Sequence, residues 1–154
     1  MPERDGRFVV THADGDLAVL KDVDRGQVHT LGENPGVEPN EVIEGRVEPE
    51  PPMEVTYRLA AIDDRRQLVV EESPEPPTEQ ERTIAAEQAT GEITERDRAG
   101  SGELHVLTVP EGETTAAVED ILDDEATLVR AARFGVDRVE IRSEPGVVSV
   151  RYMP

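Results

Sequence analysis

The sequence predicts an α+β protein with a small β-barrel-like, OB-like lobe over residues 1–72 and an α+β lobe over residues 103–154. Three observations predict this division. The N-terminal part consists of short apolar runs with turn residues close between them, which is typical of a small barrel. An acidic, proline-rich stretch follows it. The remaining residues show the order strand, helix, helix, strand, strand, judged from hydrophobic periodicity.

The N-terminal lobe contains five or six predicted strands. The first two are joined at Asp14-Gly15, a pair that tolerates the positive φ of a tight hairpin. The fourth contains Gly45. Glycine inside a strand commonly marks a bulge or a bend at a barrel corner, and we expect one at this position. The last two form a predicted hairpin around the turn 63–66. The strands are residues 8–11, 17–21, 27–31, 41–48, 53–62 and 67–71.

Residues 73–102 are predicted to be an acidic, proline-rich linker with one short helix. The segment 73–77 is a stiff, extended spacer because it contains three prolines. Thr78 and Glu81 have the spacing of a capping box, which predicts a helix that begins there and runs towards Gln88. The segment 99–102 (Ala-Gly-Ser-Gly) is predicted to be a flexible joint.

The C-terminal lobe begins with a predicted strand at 104–109. Thr114 is a predicted cap of a first helix, and Asp123-Asp124 of a second. Gly135 occupies the position of a left-handed residue after the second helix. The closing hairpin joins 138–142 to 147–152 across Glu144-Pro145-Gly146, which has the composition of a type II turn.

The charge balance predicts a protein of a salt-in halophile. The net charge is −19, from 35 acidic and 16 basic residues, and every basic residue except Lys21 is arginine. Dense carboxylates hold water and cations, and molar salt screens the repulsion between them. An acidic disordered chain is the alternative. The alternating Val, Ile and Leu runs favour a folded protein instead.

The chain has no cysteine, which excludes disulfides and thiolate metal sites. Its apolar runs are too short for a membrane span, and its N-terminus lacks the apolar core of a signal peptide. We therefore expect a soluble, cytoplasmic protein that does not contact a membrane.

Five segments carry a resemblance to known proteins. They are residues 8–13, 22–31, 104–110, 135–140 and 148–152. On these segments nearly the whole chain resembles an uncharacterised domain-of-unknown-function family from haloarchaea, which implies no activity. Separately, the spacing of Gly36-Val37, Glu41-Val42 and Gly45-Arg46-Val47 is similar to that of OB-type and S1-like nucleic-acid-binding barrels.

No catalytic constellation is present in the sequence. The three histidines, His12, His29 and His105, lack the spacing of a metal site, and structural roles are expected for them. Adjacent acidic pairs such as Asp63-Asp64 arise by chance in so acidic a chain. We therefore expect a protein that is not an enzyme and has no cofactor and no metal.

The arginines of the C-terminal part are the candidate binding residues. Residues 126–154 contain five arginines and only three acidic residues. A face of guanidinium groups suits phosphates or a partner's carboxylates. Pairing with local glutamates as a solvated surface is the alternative. The candidate residues are Arg130, Arg133, Arg138, Arg142 and Arg151, with Tyr57 on the barrel as a stacking platform.

Two function classes stay open. The first is a non-catalytic module associated with nucleic acid. The second is a protein–protein adaptor that uses the arginine face to bind an acidic protein partner. Exposure of Phe8 or Tyr57 on the barrel favours the first, and burial of both together with an apolar patch on either lobe favours the second. The oligomeric state is left open by the sequence.

Overall fold

The computed structural model describes residues 4–51, 53, 55–97 and 102–154. The chain forms two compact units. The first comprises residues 1–68 together with 128–133, and the second comprises residues 69–127 and 134–154. The α+β fold class predicted from the sequence is confirmed.

The first unit is built around a closed five-stranded barrel. Its strands are β1 (Arg4–Ala13), β2 (Ala18–Asp22), β3 (Val28–Leu31), β4 (Glu41–Pro49) and β5 (Tyr57–Gln67). The strand order is β1-β2-β3-β5-β4, and the parallel contact between β3 and β5, where Leu31 pairs with Tyr57, closes the barrel. The predicted barrel is confirmed in this form.

Alternation along the strands fills the barrel with apolar side chains. Tyr57, Leu59 and Ala13 pack against this core at its partly buried rim. Burial of the core residues supplies most of the stabilisation of the barrel, since each large apolar side chain contributes about 1.5–3 kcal/mol. The buried core residues are Phe8, Val10, Ala18, Leu20, Leu31, Val37, Ile43 and Val47.

Two aspartates fix the turns at either end of β2. The Asp14 carboxylate accepts hydrogen bonds from the backbone N–H groups of Leu17 (2.8 Å) and Asp16 (2.7 Å), which lowers the pKa of Asp14. Asp22 is fully buried, and its Oδ1 accepts from the N–H groups of Asp24 and Arg25, each at 2.9 Å. Each carboxylate therefore satisfies backbone donors that strand pairing leaves open.

The predicted bulge at Gly45 is confirmed. The pairing of β4 with β5 shifts register between Glu44 and Gly45 and again between Arg46 and Val47. At Gly45 the strands approach so closely that a Cβ atom would overlap the carbonyl oxygen of Ala61. Glycine is therefore required by the close approach of a backbone.

The predicted hairpin around residues 63–66 is wrong. Those residues lie inside β5, which continues to Gln67. The next strand, β6 (Val69–Glu72), leaves the barrel and pairs in parallel with β9 of the second unit's sheet. Charged residues at 63–66 resemble a turn in sequence, but on the outside of a barrel they are ordinary solvent-facing strand residues.

The second unit contains a five-stranded sheet of order β6-β9-β10-β8-β7. The expected order strand, helix, helix, strand, strand is confirmed for its C-terminal part. Its further elements are α1 (Glu79–Ala86), β7 (Ile93–Asp97), β8 (Glu103–Thr108), a 3₁₀ turn (Glu111–Glu113), α2 (Thr114–Leu122), α3 (Glu125–Phe134), β9 (Arg138–Glu144) and β10 (Val147–Met153), of which residues 128–133 of α3 belong to the first unit.

The segment expected to be a linker carries two elements of the second unit. The short helix α1 lies where the capping box predicts it: Thr78 Oγ1 accepts from Glu81 N, and the Glu81 carboxylate accepts from Thr78 N. Strand β7 was not expected, and it pairs with β8. Of the predicted flexible joint at 99–102, residues 99–101 lie outside the described residues.

Of the two caps expected at the other helices, the one at Asp124 is confirmed and the one at Thr114 is wrong. Asp124 Oδ1 accepts from Ala126 N at the start of α3, as expected of a cap. Thr114 is the first residue of α2 rather than its cap, and its hydroxyl instead donates to Glu111 O. Gly135 and Gly146 both have positive φ, at 75° and 86°. Within the described ranges no helix is both long and apolar enough to cross a membrane.

Candidate binding surfaces

Three of the predicted arginines lie together on one face of the second unit's sheet. Arg138 and Arg142 alternate with Glu140 along β9, and Arg151 on β10 is directly opposite Glu140 in the strand pairing. The even spacing of Arg138 and Arg142 places both on one face, as expected from the sequence. The sheet therefore brings these three guanidinium groups around one carboxylate.

Glu140 is the centre of this arginine–glutamate network. Its side chain is 8% exposed, and its Oε1 lies 2.6 Å from Arg142 Nε. Its Oε2 lies 3.1 Å from Arg138 Nη2, and Arg151 Nη1 is 3.6 Å from Oε1. One buried carboxylate is thus surrounded by three cations, a geometry that compensates its loss of hydration.

Further glutamates neutralise the same arginines from neighbouring segments. Arg138 Nε lies 2.9 Å from Glu71 Oε1 on β6, and Arg142 Nη2 lies 2.9 Å from Glu75 Oε2. Arg151 Nε is 3.8 Å from Glu81 Oε2, at the start of α1. Three guanidinium groups therefore face four carboxylates, and the network carries no positive excess.

A polar groove of about 750 Å³ lies beside this network. The groove is open to solvent. Acidic and basic side chains both line it, so its walls carry no excess of positive charge. The lining residues are Thr78, Glu79, Gln80, Glu81, Arg96, Asp97, Leu104 and Arg151.

The other two predicted arginines belong to the first unit. Arg133 donates through Nε and Nη2 to the carbonyl oxygen of Val23, at 3.2 and 3.1 Å. Arg130 is half-buried on the same helix, α3. Arg133 thus has a structural contact with the loop that follows β2.

The aromatic residues of the barrel pack inward. Phe8 is fully buried, and Tyr57 is half-buried against the core. The ring of His29, itself buried, makes an edge contact with Phe8 at 5.7 Å between centroids and with Tyr57 at 4.6 Å. The three rings form a row of edge contacts with His29 in the middle, and Tyr57 is the least buried of the three.

Two apolar side chains project instead from the loop between β4 and β5. Met53 is 75% exposed and Val55 is 72% exposed. The base of this loop is closed, because Glu50 N donates to Thr56 O at 2.8 Å and Thr56 Oγ1 donates to Glu50 Oε1 at 3.1 Å. We call residues 50–56 the apolar loop. Sequence reasoning missed it, because Met53 and Val55 were assigned to a barrel strand.

An ion pair between a buried glutamate and a half-exposed arginine anchors the C-terminal end of β5. Glu41 is buried at the start of β4, and Arg65 donates to both of its carboxylate oxygens, at 2.8 and 2.7 Å. Burial raises the pKa of Glu41, but the hydrogen bonds from Arg65 and from the N–H of Glu38 outweigh it and lower the pKa below the ordinary value of 4.5. The ionised form is therefore the one that the fold stabilises.

This ion pair gives the barrel a defined acid sensitivity. Because the folded pKa of Glu41 is depressed, its contribution is complete above about pH 4.5 and is lost as the pH falls through the folded value. Glu41→Gln should lower the free energy of unfolding by only about 1–2 kcal/mol at pH 7, because Arg65 is half-exposed. The loss should be smaller at pH 3, where Glu41 is more protonated. Denaturant titrations at both pH values measure this. Glu33→Gln, in an exposed loop, is the control, and an equal loss at both pH values would contradict the assignment.

The described part of the chain is an α+β protein that consists of a five-stranded barrel, a five-stranded sheet and three helices. Residues 4–143 match the model of a family described as a family of unknown function (DUF5812), and the chain belongs to that family. No curated protein and no solved structure matches the chain.

Proposed function

We propose that this protein is a non-catalytic binding module for a protein partner, with the apolar loop as its principal contact. The observation that carries the proposal is the exposure of Met53 and Val55 on a loop whose base is hydrogen-bonded. Loops on a rigid scaffold are frequent binding elements. An apolar pocket on the partner would cover these two side chains and gain their transfer free energy.

The sequence of the loop supports a contact role. Pro49 and Pro51 each fix one backbone dihedral close to Met53, which reduces the conformational entropy that is lost on binding. Methionine adapts its shape to a partner's surface more readily than branched side chains do. The surface of this chain is dominated by carboxylates. An apolar surface on a partner would therefore gain most binding free energy by contacting this loop.

The arrangement of charges favours a protein partner over nucleic acid. Arg138, Arg142 and Arg151 are engaged by glutamates, so a phosphate would have to displace those contacts. Phe8 is buried, and Tyr57 is half-buried in an edge contact with His29, which reduces the aromatic surface open to bases. Nucleic acid is the rival partner class, and the experiments below are designed to separate the two.

The proposal includes a working environment of high salt, in the cytoplasm of a halophilic archaeon. It rests on the net charge of −19 and on the near absence of lysine. Carboxylates at this density repel one another, and salt at about 1 M reduces the Debye length to about 3 Å.

Stability should therefore depend strongly on salt. We expect the melting temperature to rise by about 10 °C between 0.1 M and about 3 M sodium chloride, because the carboxylate repulsion is screened. Calorimetry at both concentrations measures the change. Sucrose, which strengthens burial without screening charge, is the control. An unchanged melting temperature, or an equal rise in sucrose, would remove the support for a high-salt environment.

The test of the binding role compares a double variant of the apolar loop with a control variant outside it. Met53→Ser with Val55→Ser should reduce the yield of a co-purifying partner at least about tenfold, because both apolar contacts are removed. The matched control is Val28→Ser, at an apolar residue of β3 that is 57% exposed. Both variants should unfold at the wild-type denaturant concentration. A partner that binds the loop variant as well as it binds the wild type would place the contact elsewhere.

A further inference from the structure

Three side chains that can each ligate a metal meet at one edge of the second unit's sheet. They are Glu95 on β7 and Glu103 and His105 on β8, and their ligand atoms all lie within 4.8 Å of one another. His105 Nε2 lies 3.0 Å from Glu103 Oε1 and 3.9 Å from Glu95 Oε1. A single ring nitrogen is therefore directed at two carboxylates.

The strand pairing places these groups together. Glu103 and His105 are two residues apart on β8, so they share a face, and Glu95 is directly opposite His105 on the neighbouring strand. A metal site was not expected from the sequence, because none of the three histidines has the spacing of a metal site within its own segment. The Glu-x-His pattern on β8 becomes informative only when its cross-strand neighbour is known.

The burial of the three groups differs in a way that suits an ion site open on one side. His105 is 3% exposed and packs against the ring of Tyr152, with 5.0 Å between centroids. The Glu103 side chain is 25% exposed and that of Glu95 is 61% exposed. The imidazole is thus held in place by its contact with Tyr152, while the two carboxylates lie at the solvent boundary.

We propose that Glu95, Glu103 and His105 form a site for one divalent transition-metal cation of the Zn²⁺ type. One imidazole nitrogen and two carboxylates are a ligand set that borderline cations accept, and three protein ligands leave a further position for water or a partner's side chain. The buried, oriented imidazole distinguishes this site from the acidic pairs on the surface. Binding requires His105 Nε2 to be unprotonated, so protons compete with the metal.

The test is calorimetric titration of the chelator-stripped full chain with zinc nitrate, in molar sodium nitrate at pH 7.5. We expect one equivalent per chain. His105→Asn and Glu103→Gln should each weaken the affinity by at least about tenfold. Glu72→Gln is the matched control, since Glu72 lies on the opposite edge strand of the same sheet. An excess of Mg²⁺ should not displace the zinc, because it prefers an all-oxygen shell.

Nitrogen-15 NMR of the three histidine rings gives a second readout that does not depend on any variant. The Nε2 resonance of His105 should move on addition of zinc, and those of His12 and His29 should not. Several weak equivalents that Mg²⁺ displaces, or an unmoved His105 resonance, would overturn the proposal. The contact of His105 with Glu103 would then be a structural hydrogen bond. Circular dichroism of each variant excludes loss of folding as the cause of lost affinity.

Discussion

Replacing Gly45 with alanine should lower the free energy of unfolding of the barrel by about 3 kcal/mol. The paired strands β4 and β5 approach one another closely at this residue, and the added Cβ would overlap the carbonyl oxygen of Ala61. A flexible side chain could move aside at little cost, but a backbone carbonyl in a paired strand cannot. The overlap has to be relieved by separating β4 from β5, and their pairing is the longest in the barrel.

Urea unfolding followed at backbone amides of β4 and β5 measures this loss for the barrel itself. Gly15→Ala is the matched control in the same unit, because no atom lies within 4 Å of its Cβ position and its φ is not positive. The control should change the free energy of unfolding by less than about 0.5 kcal/mol. Equal midpoints for the two variants would mean that the strands do not approach one another at Gly45.

Glu140→Ala should destabilise the second unit by about 3 kcal/mol. The carboxylate is buried, and its removal leaves Arg138, Arg142 and Arg151 close together without the carboxylate that they share, each with a single glutamate of a neighbouring segment. Arg142 and Arg151 are themselves largely buried, so water cannot fully replace the lost partner. Arg138 is half-exposed, which keeps the expected loss at the lower end of the range for buried ion pairs.

The matched control for this prediction is Glu144→Ala on the same strand. Glu144 pairs with Arg82 at 2.9 Å, but both side chains are partly exposed. Pairs of that kind contribute less than about 1 kcal/mol. Urea unfolding monitored on the second unit's sheet distinguishes the two variants. A loss at Glu140 no larger than that at Glu144 would mean that the network is a solvated surface feature.

Local sequence signals predicted those parts of the fold that depend on a few neighbouring residues. The capping box of Thr78 and Glu81, the left-handed Gly135 and the bulge at Gly45 each follow from backbone requirements within one or two turns. The parallel pairing of β6 with β9 could not be predicted in this way. It joins Val69 to Arg138, and nothing in either segment specifies a partner that far along the chain.

The same limit applies to the candidate sites. Even spacing on β9 predicted that Arg138 and Arg142 share a face. Pairing with local glutamates was weighed, but the partners Glu71 of Arg138 and Glu75 of Arg142 were not predicted, because they come from segments that were assigned to the barrel and the linker. Glu95 was missed for the same reason, since β7 lies within the expected linker. Contacts between distant segments decide the charge of a surface, and composition alone does not contain them.

The most direct test of the protein-binding proposal is affinity purification of the tagged chain from its host at native salt. Half of each eluate is treated with nuclease before its components are identified. The proposal predicts a stoichiometric protein that survives nuclease and is lost from the Met53→Ser, Val55→Ser variant. Nucleic acid that co-purifies with the wild type and with that variant alike, and that carries any bound protein away when it is digested, would contradict the proposal and identify nucleic acid as the partner.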